Sequence, residues 1–223
     1  MLKSNISSIS NDSIVNILSS NYFYDFRNRI IEIRHTKKGK PDGYSNFFYD
    51  KQLSHSIMYD SDSVKIGVYK YEYKDDNLIK RTSFNADESV IKNVLDYTYN
   101  ENGKIIKVVN TEHESETTFL VGVTFYEYLE DNIVKKTYKN NDFFYLIKYD
   151  NMKTPFSEIP FYKVSLMNSD VINDLNNRVS YLKSSNSESG TLYANTYDED
   201  DFLKKQIISI SNNKYIKEYT YNK

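Results

Sequence analysis

The stretch YTYNENGKIIKVVN, residues 97–110, decides how this chain is read. Two tyrosines flank a threonine, a turn-like Asn-Glu-Asn-Gly cluster follows, and an apolar run broken by one lysine completes it. The same order recurs. Tyr71-Glu72-Tyr73-Lys74 leads to Leu78-Ile79-Lys80, Tyr126-Glu127-Tyr128-Leu129 to Ile133-Val134-Lys135, and Tyr22-Phe23-Tyr24-Asp25 to Ile30-Ile31-Glu32. Asn195-Thr196-Tyr197-Asp198 leads to Phe202-Leu203-Lys204, and Tyr219-Thr220-Tyr221-Asn222 is half a repeat. Weaker copies sit at Phe48-Tyr49-Asp50 and Lys148-Tyr149-Asp150. The last tyrosine of each copy serves as a marker: Tyr24, Tyr49, Tyr73, Tyr99, Tyr128, Tyr149, Tyr197 and Tyr221. These markers recur at a period of about two dozen residues, with one marker missing between Tyr149 and Tyr197, so the repeat is structural and spans nearly the whole chain.

Each period reads as a β-hairpin. Side chains alternate faces along a strand, so the two tyrosines share one face and the residue between them takes the other. That middle residue is Glu72, Thr98, Glu127, Lys148, Thr196 or Thr220, with Phe23 the apolar exception. Apolar-in, polar-out alternation marks a half-buried antiparallel strand. The turns KDDN, NENG, LEDN and DEDD are rich in Asn and Asp, which tolerate positive φ and bond their own backbone. Gly103 suits the left-handed position of a short hairpin loop. The return arm opens on two apolar residues and then usually a lysine.

Two strands per period predict an all-β chain, an antiparallel up-and-down meander of about 12–16 strands built from tyrosine-rich hairpins. A sheet of that size should form a strongly curved sheet or a closed soluble barrel. The chain of 223 residues reads as one β-repeat domain, with residues 1–13 as a candidate disordered N-terminal segment. Two breaks interrupt the pattern. KKGKPDGYS, residues 37–45, gathers Gly39, Pro41 and Gly43 and is expected to be a loop. Residues 151–177 carry Pro155 and Pro160 and lack a marker, so they are expected to leave the sheet. Loops on a rigid scaffold often carry function, which makes that second break the first place to look for a site.

Composition narrows the function classes. Tyrosine is abundant, with 22 copies beside 12 phenylalanines, and supplies core that leucine supplies elsewhere. The net charge is −2, with both signs spread along the chain, so there is no basic footprint for nucleic acid. The absence of cysteine removes disulfides, thiol nucleophiles and thiolate metal sites. No apolar run is long enough for a transmembrane helix. The N-terminus has one early lysine but no apolar core of about 7–15 residues, as a signal peptide needs.

The pattern Y-x-Y-(D/N)-x-x-(G/N)-x-(I/L)-(I/V)-K resembles the tyrosine-aspartate repeats of Rhs-type proteins. More closely, TYNENGKIIKV, EYKDDNLIKR, YDNMKTPF (149–156) and the terminal EYTYN make the chain resemble Bacteroidetes putative lipoproteins of unknown function with a porin-like β-meander fold. Members of that family usually carry a lipoprotein signal, which this sequence lacks. The resemblance therefore implies a lipid-anchored protein of the periplasm or cell surface if a signal was removed, and a cytoplasmic one otherwise. It brings no functional residue with it.

Candidate chemistry is sparse. His35, His55 and His113 lack metal-ligand spacing. The runs Asp75-Asp76, Glu130-Asp131, Asp198-Glu199-Asp200-Asp201 and Asp60-Ser61-Asp62 do not match a calcium loop and are read as turn chemistry. No GxSxG, GxGxxG or P-loop occurs. The expectation is a chain with no catalytic residue, cofactor or metal site, whose eight marker tyrosines are structural. Lysines on the return arms and polar residues opposite the tyrosines argue against a lipid-facing strand surface. The first reading is a non-enzymatic cell-envelope module binding a glycan or an envelope protein. A second is a hydrolase with its site at the 151–177 interruption or at a barrel mouth. A third is a fragment of an Rhs-like shell, which requires an unpaired edge, with the strand from Lys214 to Asn222 as the candidate.

Overall fold

In the computed structural model, residues 2–10, 13–114, 117–130, 132–139, 144–153, 176–183, 190–210 and 213–221 are described. Sixteen strands lie among them: β1 (Leu2–Ser10), β2 (Ser13–Tyr24), β3 (Ile30–Lys37), β4 (Lys40–Tyr49), β5 (Leu53–Tyr59), β6 (Lys65–Lys74), β7 (Asn77–Phe84), β8 (Ile91–Tyr99), β9 (Ile105–Glu114), β10 (Thr117–Leu129), β11 (Asn132–Tyr138), β12 (Phe144–Lys153), β13 (Asn176–Lys183), β14 (Gly190–Tyr197), β15 (Leu203–Ile210) and β16 (Asn213–Tyr221). Each pairs antiparallel with its sequence neighbours. β1 also pairs with β16, from Leu2 opposite Tyr221 to Ile9 opposite Lys214, so the strands follow one another around a closed barrel.

This pairing corrects three expectations. A strongly curved sheet with free edges is not formed, because no strand in the ring is left with an open side. The last strand is no edge, since β16 is bonded to both β15 and β1, and the shell reading that required one falls with it. Residues 2–10, within the segment read as disordered, form β1 and pair on both sides.

The stretch at 37–45 is not a loop either. Lys38 and Gly39 take positive φ of 49° and 77°, which makes a two-residue turn, and β4 starts at Lys40. Paired positive φ values match the twist of the flanking strands, so a Lys-Gly pair can join them directly. Pro41 sits just past the turn, where the ladder slips between Thr36 and Arg34. A bulge is one of the few places a sheet accepts proline. Gly43 lies in that slip with φ of 101°, and a Cβ there would fall 2.4 Å from the Tyr59 carbonyl oxygen. Both the dihedral and the clash exclude a side chain. Gly43→Ala is expected to cost about 1–3 kcal/mol or more, read as a lower urea midpoint; an unchanged midpoint would mean the strand slips to make room. Of the second break, residues 151–153 end β12 and residues 176–177 begin β13, while Pro155 and Pro160 lie outside the described residues.

Two devices repeat at the end of the barrel that holds the markers. In the longer turns the residue after the marker folds the loop over its own side chain. Asp25 Oδ1 accepts the N–H of Arg27 and Arg29 (2.8 and 2.9 Å), Asn100 Oδ1 those of Asn102 and Lys104 (3.1 and 2.9 Å), and Asp198 Oδ1 those of Asp200 and Phe202 (3.0 Å each). This accounts for the Asp or Asn of the repeat, because either oxygen can serve. In the KDDN turn, Asp75 and Asp76 instead take positive φ of 50° and 63°.

The second device is a bulge on each return arm. Tyr99 faces Ile105 but Thr98 faces Lys107, so Ile105 and Ile106 together oppose one residue. The same slip occurs at Ile30-Ile31, Leu53-Ser54, Leu78-Ile79, Ile133-Val134 and Leu203-Lys204. The two apolar residues that open each return arm are therefore usually the bulge. The first of them turns inward: Ile30 is 0 % exposed, and Leu53, Leu78, Ile105, Ile133 and Leu203 are at most 4 % exposed. They pack with the repeat tyrosines into three clusters. Tyr97 touches the first and second, and Tyr22 and Tyr24 touch the first and third.

Candidate functional site

A bulge leaves a backbone carbonyl out of the ladder, and a buried carbonyl must find a donor. The marker tyrosines supply it. Tyr49 donates its phenol O–H to the Ile30 carbonyl (2.8 Å), Tyr99 to Leu78 (2.7 Å), Tyr128 to Ile105 (2.8 Å), Tyr149 to Ile133 (2.7 Å) and Tyr221 to Leu203 (2.9 Å). Each bond reaches the return strand of the preceding hairpin. Tyr73 packs in the first cluster. The phenol oxygen of Tyr24 is buried and has no hydrogen-bond partner among the described residues. Burial raises the pKa of these phenols: Tyr24 and Tyr71 reach about 12, and Tyr49, Tyr73, Tyr99, Tyr219 and Tyr221 are also raised, chiefly by desolvation. The residues between the tyrosines, Glu72, Thr98, Glu127, Lys148, Thr196 and Thr220, are exposed on the outer face.

Tyr197 departs from the pattern. Its hydroxyl bonds the Asp150 carboxylate, which also accepts from Asn195 Nδ2 at 2.8 Å, while Gln206 Nε2 donates to Asn195 Oδ1 at 2.9 Å. This chain of polar groups sits where β12 ends, beside the second break. Among the described residues it holds a single carboxylate, with its oxygens engaged by Tyr197, Asn195 and the Met152 N–H (3.0 Å). Acid–base hydrolysis of a glycoside needs two carboxylates facing one cleft, so this arrangement reads as a structural tie between β12, β14 and β15.

The histidines are separated. His35 points inward and shares a hydrogen bond with Ser20 Oγ (2.9 Å); burial lowers its pKa, opposed by the Asp42 charge, so it is neutral at pH 7. His55 stacks on Phe48 on the outer face, with ring centroids 4.5 Å apart. Among the described residues no group of three or more His, Cys, Asp or Glu could hold a metal ion.

The feature the sequence reading missed is a concavity of about 520 Å³ over the outer face of β2–β4, closed on one side by the turn at Asp60. Strand alternation brings its wall together. Asn21 is opposite Arg34, Arg34 opposite Tyr44, and Glu32 opposite Asn46. Tyr44 is backed by Tyr59, stacked at 4.6 Å and 13°. Arg34 is held by Glu32 and lies over the Phe23 ring at 5.3 Å. Asp60 Oδ1 accepts the N–H of Asp62 and Val64 (2.9 Å each), which fixes the turn. Its volume falls within the range of about 300–1,000 Å³ usual for small-molecule sites. No short motif signals it, because its residues come from several strands and meet only through register.

The chain matches no protein-family model. No curated protein is significantly similar to it. Among solved structures it is similar to a porin-like protein from Bacteroides uniformis, at 14 % identity over 99 % of this chain and 97 % of that one, with a TM-score of 0.66. A porin-like protein from Bacteroides vulgatus aligns at 10 % identity over 98 % of this chain and 97 % of that one, with a TM-score of 0.40. The TcdB2–TccC3 structure aligns at 15 % identity over 96 % of this chain and 11 % of that one, with a TM-score of 0.27. The first of these likenesses shows the fold that the chain shares, an antiparallel β-meander found in a porin-like protein of a Bacteroides species.

Proposed function

We propose that the protein is a non-enzymatic module of the bacterial cell envelope that binds a glycan or a protein on its outer surface and conducts nothing through its interior. The observation that carries this reading is the burial of inward side chains at the marker end. Water-filled porin barrels have 16–18 strands and keep an aqueous lumen. Here Ile30, Leu78, Ile105, Ile133, Leu203, Tyr126 and Tyr219 face inward and are at most 8 % exposed. Side chains shielded to that degree are not the lining of an open channel.

The outer face supports the same reading. Glu72, Lys80 and Asp96 stand in line across β6, β7 and β8, Glu127 pairs with Lys135, and Lys205 faces Glu218. A lipid-facing strand surface needs an apolar band about 25 Å tall, and charges within it are destabilising. The protein is expected to purify from the aqueous fraction without detergent and to give no steps of conductance in planar lipid bilayers. Steady single-channel currents, or recovery only from detergent-extracted membranes, would overturn the proposal.

A further inference from the structure

We infer that the concavity over β2–β4 is a binding site for a neutral oligosaccharide. This rests on the reading of the protein as a binding module and names the ligand class that its surface suits. The first support is unspent hydrogen-bonding capacity. Asn21 and Asn46 are half-buried, and neither side-chain amide has a hydrogen-bond partner among the described residues. Each offers two donors and an acceptor in one plane, the geometry that vicinal hydroxyls of a sugar can meet in pairs. Neither amide is among the buried atoms left without a partner, so water reaches both, and a sugar hydroxyl can take that water's place.

The second support is the aromatic wall. Tyr44 lines the concavity while Tyr59 stands behind it, stacked and outside the lining, so the outer ring is held rigid by its neighbour. Rigid aromatic area next to planar polar groups suits a ring with one apolar C–H face and a rim of hydroxyls. The third support is charge. Arg34 is the one cation among Asn21, Glu32, Arg34, Tyr44, Asn46 and Asp60, and it is already neutralised by Glu32. Asp60 leaves the wall with an acidic excess, which disfavours phosphates, sulfates and uronic acids. The wall is preformed, since most of it stands on strands fixed by their ladders, which lowers the ordering cost of binding.

The test is a printed array of neutral and acidic glycans probed with the whole chain, followed by calorimetric titration with cellohexaose, maltohexaose and mannohexaose. The expected result is binding to a neutral glycan that becomes at least about tenfold weaker in Asn46→Ala and in Tyr44→Ala, the loss of one good contact. Thr98→Ala, on a distant part of the outer face, should leave it unchanged, and melting curves check that each variant is folded. Binding that survives both site substitutions would overturn the site while leaving the binding-module reading intact. Preference for acidic glycans or for peptides, or no binding at all, would overturn the inference. A conducting channel would instead overturn the reading beneath it.

Discussion

Raising the pH above about 10 should unfold the protein in one cooperative step, with tyrosinate absorbance appearing together with the loss of β-sheet signal. An unfolded chain releases its phenolic protons near pH 10. The folded chain holds them longer: burial moves Tyr71 to about 12 and pushes Tyr219 up as well. Above pH 10 the unfolded state therefore binds fewer protons than the folded state, and stability falls as pH rises. The contribution is fully present below pH 10 and is lost as the pH climbs through the folded values. Each phenol kept neutral removes about 1.4 kcal/mol per pH unit, so Tyr71 and Tyr219 together remove roughly 3 kcal/mol per unit. Tyr49, Tyr73, Tyr99 and Tyr221 are half-buried, and solvent screening reduces their share. By pH 12 this amounts to roughly 6 kcal/mol, enough to unfold a domain at the lower end of the usual range of about 5–15 kcal/mol. Tyrosines that titrate at their ordinary value while the sheet signal persists would show that these phenols are not held in the interior.

Removing the tyrosine hydroxyls should be nearly as damaging. Tyr99→Phe keeps the ring in its cluster and deletes only the bond to the Leu78 carbonyl. Leu78 is 4 % exposed, so its carbonyl then has little access to water. A buried acceptor left without a donor costs about 1–3 kcal/mol, more than the net worth of an ordinary hydrogen bond. The five bonds are separated around the ring, and distant sites add. Phenylalanine at Tyr49, Tyr99, Tyr128, Tyr149 and Tyr221 together should therefore cost roughly 5–15 kcal/mol and abolish the folded state. Urea midpoints measured for the single variants and the cumulative series decide the matter. If Tyr99→Phe matched the native midpoint, the carbonyls would be satisfied some other way.

These two results separate what the sequence shows from what it hides. Tyr-x-Tyr alternation is visible because a strand has a period of two, and Glu72, Thr98 and Glu127 mark the solvent side without ambiguity. The need for tyrosine rather than phenylalanine at the marker is hidden. It arises from the bulge at Ile105-Ile106, and two adjacent apolar residues look the same whether they form a bulge or a regular strand. Residues 37–45 mislead in the opposite direction. Gly39, Pro41 and Gly43 look like loop residues, yet one supplies positive φ to a tight turn, one tolerates a ladder slip, and one lets β4 pass the Tyr59 backbone. The concavity over β2–β4 is invisible for a third reason. Asn21, Arg34, Tyr44 and Asn46 become neighbours only when the register of two strand pairs is known.

The tyrosine bonds also have a direction in time. Tyr49 reaches back to Ile30, Tyr99 to Leu78, Tyr128 to Ile105, Tyr149 to Ile133 and Tyr221 to Leu203, each 16 to 23 residues earlier in the chain. A chain leaving the ribosome presents each carbonyl before the phenol that will meet it. Every new hairpin thus docks onto one already made, through contacts of short sequence separation that form quickly. The wall can grow hairpin by hairpin in the order of synthesis, and only the pairing of β1 with β16 must wait for the end of the chain.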